Sequence, residues 1–187
     1  MFGALNRAID QALDEGMNAN GRSARHVAAG VGLCGAALLL SALTGYHDKP
    51  GKALKRRLAN ATLDKPDLGP SEQTFSAVVP LMFLLLTFSG VRIWNAPAGP
   101  ERSRTLAIWG GLQILHALSN LWPPRRKSAE VAANLAAMAG ALVYAREARK
   151  VDPPAAAMIG PYASWTAMAS LVSAEIWRRN RDGLDVQ

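Results

Sequence analysis

Long apolar stretches alternate with short charged segments along this chain. Five stretches carry no formal charge: His26–His47, Thr74–Val91, Thr105–Trp122, Val131–Ala145 and Pro153–Ala174. A helix that crosses the roughly 30 Å hydrocarbon core of a bilayer needs about 17–25 residues. Together with the apolar residues beside them, four stretches reach or approach that length, and the one that begins at Val131 is the shortest. The pattern predicts an all-α protein with five membrane-spanning helices.

The last apolar stretch combines a helix start with a regular aromatic and aliphatic face. Asp152 followed by two prolines is typical of a helix start, because proline lacks an N–H group that the first turn leaves unpaired. Apolar side chains then recur at three- and four-residue steps and share one face: Tyr162, Trp165, Ala169, Val172 and Ile176. A tryptophan deep on such a face either forms the wall of a site for a flat apolar ligand or fills the space between helices.

The composition fits a single membrane domain. Half of the 187 residues are hydrophobic, and the mean hydropathy is only +0.05, because alanine and glycine dominate the apolar stretches. Small residues let helices approach closely inside a membrane. We expect a leader over 1–25, a five-helix domain over 26–180 and a tail over 181–187. The predicted spans cover about 26–47, 74–95, 104–122, 128–146 and 153–178.

Residues 1–25 predict a short amphipathic helix at the membrane surface. The stripe from Phe2 through Ile9 to Met17 is apolar, and Asp10 and Asp14 lie off it. The alternative is a solvated leader. No small-residue cleavage site follows the first apolar stretch, so a signal peptide is not expected.

The net charge of +7 is distributed around the predicted spans and does not indicate nucleic-acid binding. Basic residues lie just outside the apolar stretches, and more of them lie on the side of the long connection between the first two spans. By the positive-inside rule that side faces the cytoplasm, so we expect an outside N terminus and a cytoplasmic C terminus in a bacterial cell membrane.

Few residues inside the spans offer polar chemistry. Gln113 and His116 lie on the third span, where polar side chains indicate a functional role or a hydrogen bond to a facing helix. His26, His47 and His116 lack the spacing of metal ligands, so no metal site is predicted. No paired carboxylates, activated nucleophile or phosphate loop supports classical catalysis.

Three further patterns have structural interpretations. The letters G-x-G-x-x-G from Gly30 to Gly35 lie inside an apolar stretch without a preceding strand, which favours close helix contact over nucleotide binding. Leu142–Arg146 matches a weak sterol-contact pattern. Four tryptophans near span ends are predicted to form an interfacial aromatic belt: Trp94, Trp109, Trp122 and Trp177.

Motifs at the ends of three spans resemble the TspO/MBR family of tryptophan-rich sensory or translocator proteins. The resemblance extends from about His26 to Asn180. Its most specific part is the P-Y-x-x-W…I-W-R-x-N order from Pro161 to Asn180. Lys65, Pro66 and Pro70 are similar to the family's K-P-x-x-x-P, and Leu118–Trp122 with Pro124 is similar to the end of its third helix.

The resemblance implies a five-helix membrane bundle, often dimeric, that binds porphyrin or haem between helices one, two, three and five beneath the first loop. Trp165 and Tyr162 would stack on the macrocycle, and Lys65 would meet its propionates or, alternatively, lipid headgroups. Further contacts are expected from Val79, Phe83, His116, Ser119 and Ala169. Val79 stands where the family has a pocket tryptophan, and Ser119 and Ser173 replace its asparagines.

Three functions follow from these patterns. The first is a tetrapyrrole-binding membrane protein that acts in sensing, transport or stress regulation without classical catalysis. The second is an enzyme that degrades porphyrin through tryptophan photochemistry or oxidation. The third is a structural bundle that contacts lipid and holds no ligand.

Overall fold

The computed structural model describes residues 2–45, 72–122 and 126–180, and every regular element within them is an α-helix. The all-α prediction is therefore confirmed for these residues. The helices in chain order are α1 (Phe2–Met17), α2 (Ala24–Gly45), α3 (Glu72–Asn95), α4 (Pro100–Leu121), α5 (Lys127–Val151), α6 (Pro153–Met158) and α7 (Gly160–Arg179).

The helices differ from the predicted spans mainly at their ends. α4 begins at Pro100 because the charged turn before the apolar stretch is already helical. α5 continues to Val151, beyond the last uncharged residue of its stretch. The final segment starts at Pro153 as predicted, but it is two helices, because Gly160 and Pro161 start a new helix after Ile159.

Two helical segments of the described residues are long and apolar enough to cross a membrane by length and composition. Val78–Asn95 has a mean hydropathy of 1.5, and Ser128–Val151 has 1.3. Ala24–Leu40 is a shorter apolar helix. Ser128–Val151 contains Val131–Ala145, the shortest of the five uncharged stretches. It is long enough to cross a membrane because the helix continues beyond Ala145 to Val151. Large apolar side chains also cover the outer surface: Leu39, Leu84, Leu135, Leu142 and Leu171.

The helices form a closed ring. α2 packs against α3 and α4, α4 packs against α5, and α5 packs against α7. The ring is completed by α3, which contacts both α6 and α7. At one end of the bundle, which we call the Arg92 end, α3 and α5 finish and α4 and α6 begin. At the opposite end, the cavity end, α3 and α5 begin and α4 and α7 finish.

A buried ion pair holds the Arg92 end together. Arg92 Nε lies 2.6 Å from Asp152 Oδ2 and Arg92 Nη2 lies 3.1 Å from Oδ1, with each side chain only 9% exposed. Arg92 Nη1 also donates to the carbonyls of Glu15 and Gly16 at the end of α1, at 2.7 Å each. Asp152 in turn accepts from the Ala155 N–H and caps α6. A bidentate guanidinium thereby joins α1, α3 and α6.

A second polar contact lies beneath the ion pair. Ser89 Oγ lies 2.7 Å from Tyr144 Oη and donates to the Ala155 carbonyl at 2.8 Å. Since the serine has one proton and the carbonyl only accepts, Tyr144 must donate to Ser89. Tyr144 is fully buried, whereas Leu142 and Val143 face outward. The sterol-contact interpretation is therefore wrong, because its tyrosine is not on the outer surface.

Glycine provides close helix contacts at three positions of the described chain, Gly30, Gly90 and Gly140, and a Cβ atom on Gly140 would lie 2.7 Å from Leu112 Cδ2. A Cβ atom on Gly90 would lie 2.6 Å from Trp109 Cε2, and one on Gly30 would collide with the Trp94 ring. Gly32 and Gly35 have open space beside them. The helix-contact interpretation of the glycine motif is thus confirmed for Gly30 alone.

The four tryptophans that were predicted to form an interfacial belt differ in their exposure to solvent. Trp109 is only 5% exposed and donates from Nε1 to the Leu86 carbonyl at 2.9 Å, so its assignment to an interfacial belt is wrong. Trp94 donates to the His26 carbonyl at 3.1 Å and stacks on that histidine. Trp122 and Trp177 are 71% and 38% exposed, as belt residues would be. Close packing against Gly90 requires Trp109 to point inward.

Candidate functional site

A cavity of about 620 Å³ lies between α3, α4, α5 and α7 at the cavity end. Every predicted ligand-contact residue in the described part of the chain lines it: Val79, Phe83, His116, Ser119, Tyr162, Trp165 and Ala169. Lys65, the remaining predicted residue, lies outside the described residues. Four helices therefore bring residues that are far apart in the sequence to one volume.

One face of α7 forms a continuous wall of this cavity. Tyr162, Trp165, Ala169, Val172 and Ile176, which the three- and four-residue spacing placed on one face, all line it. The fourteen residue steps from Tyr162 to Ile176 correspond to about 21 Å of helix at 1.5 Å rise per residue. The wall is long enough to lie along an extended flat molecule.

A hydrogen-bonded aromatic pair lies at the inner end of the cavity. Tyr162 Oη is 2.6 Å from His116 Nε2, and Tyr162 is 3% exposed. The His116 ring meets Phe83 edge-on, with centroids 5.2 Å apart. His116 therefore forms the predicted hydrogen bond to a facing helix. It also lines the cavity, and its contact with a ligand stays a prediction. Gln113, three residues earlier, is buried and does not line the cavity.

Alanines among the lining residues leave the volume open. Ala133 and Ala137 of α5 and Ala169 of α7 line the cavity, while Trp165 is half-buried in its wall. A single methyl group at each of these positions cannot fill the space that the bundle encloses. Trp165 also packs against the core, so its ring both supports the bundle and borders the cavity.

A polar cluster that the sequence interpretation missed lies nearer the cavity end of the bundle than the pair of His116 and Tyr162. Asn134 Nδ2 donates to Ser173 Oγ at 3.1 Å, and Ser173 Oγ donates to Glu130 Oε1 at 3.3 Å. All three side chains line the cavity. Glu130 and Asn134 are four residues apart on α5 and so share a face. Two polar residues at that spacing in an alanine-rich helix are the signal that could have found them.

The cavity shares the second, third and last spans with the site that the resemblance implied, but the fourth span lines it in place of the first. The second, third, fourth and last spans line it, and no lining residue comes from the described part of α2. The physical reason is the order of helices in the ring. α2 packs on α3 and α4, whereas the small side chains of α5 face α7 and leave the volume there.

Metal binding finds no support in the described ranges. Within residues 2–45, 72–122 and 126–180, no three His, Cys, Asp or Glu side chains converge in a way that could hold a metal ion. His116 has Tyr162 as its hydrogen-bond partner. The cavity therefore offers aromatic faces, aliphatic walls and hydrogen-bonding groups.

A family profile and two related proteins all connect this chain with the translocator proteins. The profile of the TspO/MBR family matches residues 31–178. The chain is 27% identical to the translocator protein of Ovis aries over 128 residues, which cover 65% of this chain and 74% of the relative. It is 26% identical to the translocator protein of Bos taurus over the same length and shares. The matched range contains every residue that lines the cavity.

Proposed function

The chain belongs to the TspO/MBR family, and from that premise we propose that its cavity binds a tetrapyrrole, either porphyrin or haem, without classical catalysis. Membership makes the chain a multi-pass membrane protein with the five-span helix bundle of that family. The observation that carries the proposal is the cavity of about 620 Å³ with Trp165, Tyr162 and Phe83 in its wall. The protein would act in sensing, transport or stress regulation.

The size and the walls of the cavity support a flat apolar ligand. Ligand sites usually enclose about 300–1,000 Å³ and combine apolar walls with a few polar groups. Here Val79 and Ala169 supply aliphatic surface, and Trp165 supplies a large aromatic ring. Stacked aromatic rings gain about 0.5–1.5 kcal/mol beyond the area that they bury.

Two regions would orient such a ligand. The hydrogen-bonded pair of His116 and Tyr162 gives the inner end its polar groups. α2 ends and α3 begins at the cavity end. In the sequence between these two helices lie Lys65 and other basic residues, which would pair with the propionates. The macrocycle would then lie along α7.

A titration with protoporphyrin IX tests this proposal. Adding it to the purified protein in detergent should shift the Soret band and quench tryptophan fluorescence with saturation. Trp165→Phe should weaken binding by about two- to tenfold, which corresponds to the loss of one stacking contact. The matched control is Trp177→Phe, whose ring lies outside the cavity and should leave affinity unchanged.

The outcomes separate the three functions. A wild-type protein that gives no spectral response would contradict binding and favour the structural bundle. Equal affinities of Trp165→Phe and wild type would remove Trp165 from the site. Illumination of the complex should yield no porphyrin breakdown faster than that of free porphyrin, and faster breakdown would favour the enzyme.

A further inference from the structure

His116 brings an imidazole into the wall of the cavity with one of its two ring nitrogens engaged. Nε2 lies 2.6 Å from Tyr162 Oη. Among the residues that the structure describes, none forms a hydrogen bond with the other nitrogen, Nδ1. The unpaired polar atoms that are sealed inside this part of the chain are Asn95 Oδ1 and Arg102 Nε, and Nδ1 is not one of them. One nitrogen is therefore held by a neighbour, and the second is available to a molecule in the cavity.

Two aromatic rings hold the imidazole in its orientation. Phe83 meets it edge-on with ring centroids 5.2 Å apart, and Tyr162 does so with centroids 5.3 Å apart. A histidine that ligates a metal almost always donates its other ring N–H to a protein group, which fixes the tautomer and the orientation of the ring. The contact from His116 to Tyr162 has the form of such a support.

The wall of the cavity contains side chains that haem iron accepts as axial ligands. Those ligands are histidine, cysteine, methionine and tyrosine, and the porphyrin supplies the other four nitrogens. A site for haem therefore needs no cluster of three protein ligands. His116 supplies the one imidazole among the described lining residues, next to the thioethers of Met82 and Met168. Cys34 is buried elsewhere and does not line the cavity.

We propose that His116 is an axial ligand of haem iron through Nδ1, and that Tyr162 is its positioning residue. This inference rests on the proposed function and narrows its ligand from tetrapyrroles in general to haem. The neutral imidazole would use the tautomer in which Nε2 carries the proton and donates to Tyr162 Oη, so that Nδ1 presents its lone pair. A porphyrin without iron offers that lone pair no acceptor.

Two porphyrins that differ only in the central iron test the inference. Ferric haem and protoporphyrin IX are each titrated into the purified full chain in detergent, as wild type, His116→Gln and Met168→Leu. His116→Gln should lower haem affinity by at least about tenfold, since the loss of a mere outer-shell partner already costs about 10–100-fold in metal affinity. It should also change the Soret band and the electron paramagnetic resonance spectrum of bound haem. Its affinity for protoporphyrin IX should change by less than about twofold, and Met168→Leu should keep the haem spectrum of wild type.

Tyr162→Phe separates the ligand from the residue that positions it. This variant should retain the haem spectrum of wild type, with weaker binding, because His116 keeps its nitrogen while it loses its hydrogen-bond partner. A spectrum that is lost in Tyr162→Phe and kept in His116→Gln would identify the phenol oxygen as the ligand and overturn the proposal.

The remaining outcomes distinguish this inference from the proposed function. Equal losses of affinity for both porphyrins in His116→Gln overturn the ligand role, because they indicate packing alone, and the proposed function stands. An unchanged affinity and spectrum of haem in His116→Gln overturn it as well. If wild type binds protoporphyrin IX and not haem, only the inference fails. If wild type binds neither, the proposed function fails and the inference fails with it.

Discussion

The two ends of the bundle use polar side chains in opposite ways. At the Arg92 end, Arg92, Asp152, Ser89 and Tyr144 bond to one another or to helix termini. At the cavity end, polar groups from three helices converge around an unfilled volume of about 620 Å³. From this comparison we expect the first end to contribute most to stability, and the proposed ligand site lies at the second.

The difference has a physical cause in the residues that separate the helices. A buried arginine and aspartate must be paired, because an unpaired charge in a low-dielectric interior is costly. Pairing draws α1, α3 and α6 together at the Arg92 end. Near the other end, alanines of α5 and α7 line the cavity and leave space between the helices. Substitutions at the two ends should therefore separate unfolding from binding.

The largest effect is expected from Asp152→Ala, which leaves Arg92 buried without its ion-pair partner. Removing one partner of a buried pair costs about 3–5 kcal/mol, and the loss of the α6 cap adds to it. The free energy of unfolding in detergent should fall accordingly, while the porphyrin affinity of the folded fraction stays the same. Glu175→Ala, which breaks exposed pairs with Arg178 and Arg179, should barely change unfolding. A similar loss in both variants would contradict the special role of the Arg92 end.

A smaller loss is expected from Gly90→Ala. Its Cβ atom would lie 2.6 Å from the buried Trp109 ring, so the ring or the helix must shift. Overpacking of this kind typically costs about 1–3 kcal/mol. The control is Gly111→Ala on the neighbouring helix, where no atom lies within 4 Å. There the better helix propensity of alanine should leave stability equal or raise it by up to about 1 kcal/mol. Equal thermal midpoints of the two variants would show that this contact is not tight.

Removing one hydroxyl at each end should have an effect of similar size at the Arg92 end and the smallest effect at the cavity end. Tyr144→Phe leaves Ser89 without the donor at 2.7 Å in a fully buried site, which costs about 1–3 kcal/mol. Tyr162→Phe removes the bond to His116 at 2.6 Å, but His116 borders a cavity that can hold water or ligand. That loss should be near the usual net value of about 0.5–1.5 kcal/mol. Chemical unfolding of both variants gives the difference, and a larger loss for Tyr162→Phe would reverse the comparison.

The sequence predicted the fold well because its strongest signals are local. Uncharged stretches identified α2 to α5, and Asp152 with two prolines identified the start of α6. The break before Pro161 was missed, since the apolar pattern continues across it without a charge. Helix ends outside the apolar stretches were also missed, because charged residues such as Glu101 continue a helix as readily as apolar residues do.

The candidate site was only partly predictable from the sequence. The spacing on α7 identified the face that borders the cavity, because all its members lie on one helix. The partners across the cavity depend on which helices are neighbours in the ring, and periodicity within a helix carries no such information. For this reason the contribution of α5 and the cluster of Glu130, Asn134 and Ser173 went unrecognised. Trp109 was misassigned because position near a span end does not tell which way a ring points.

Filling the cavity tests the central claim most directly. Ala169→Phe places a ring in the volume beside Trp165, whereas Leu171→Phe places one on the outer face of the same helix, where Leu171 is 72% exposed. Both variants and wild type are titrated with protoporphyrin IX, and folding is checked by circular dichroism and thermal unfolding. Ala169→Phe should lose at least about tenfold in affinity, equivalent to about 1.4 kcal/mol, while Leu171→Phe binds like wild type. Wild-type affinity in a folded Ala169→Phe protein would contradict the assignment of this cavity as the ligand site.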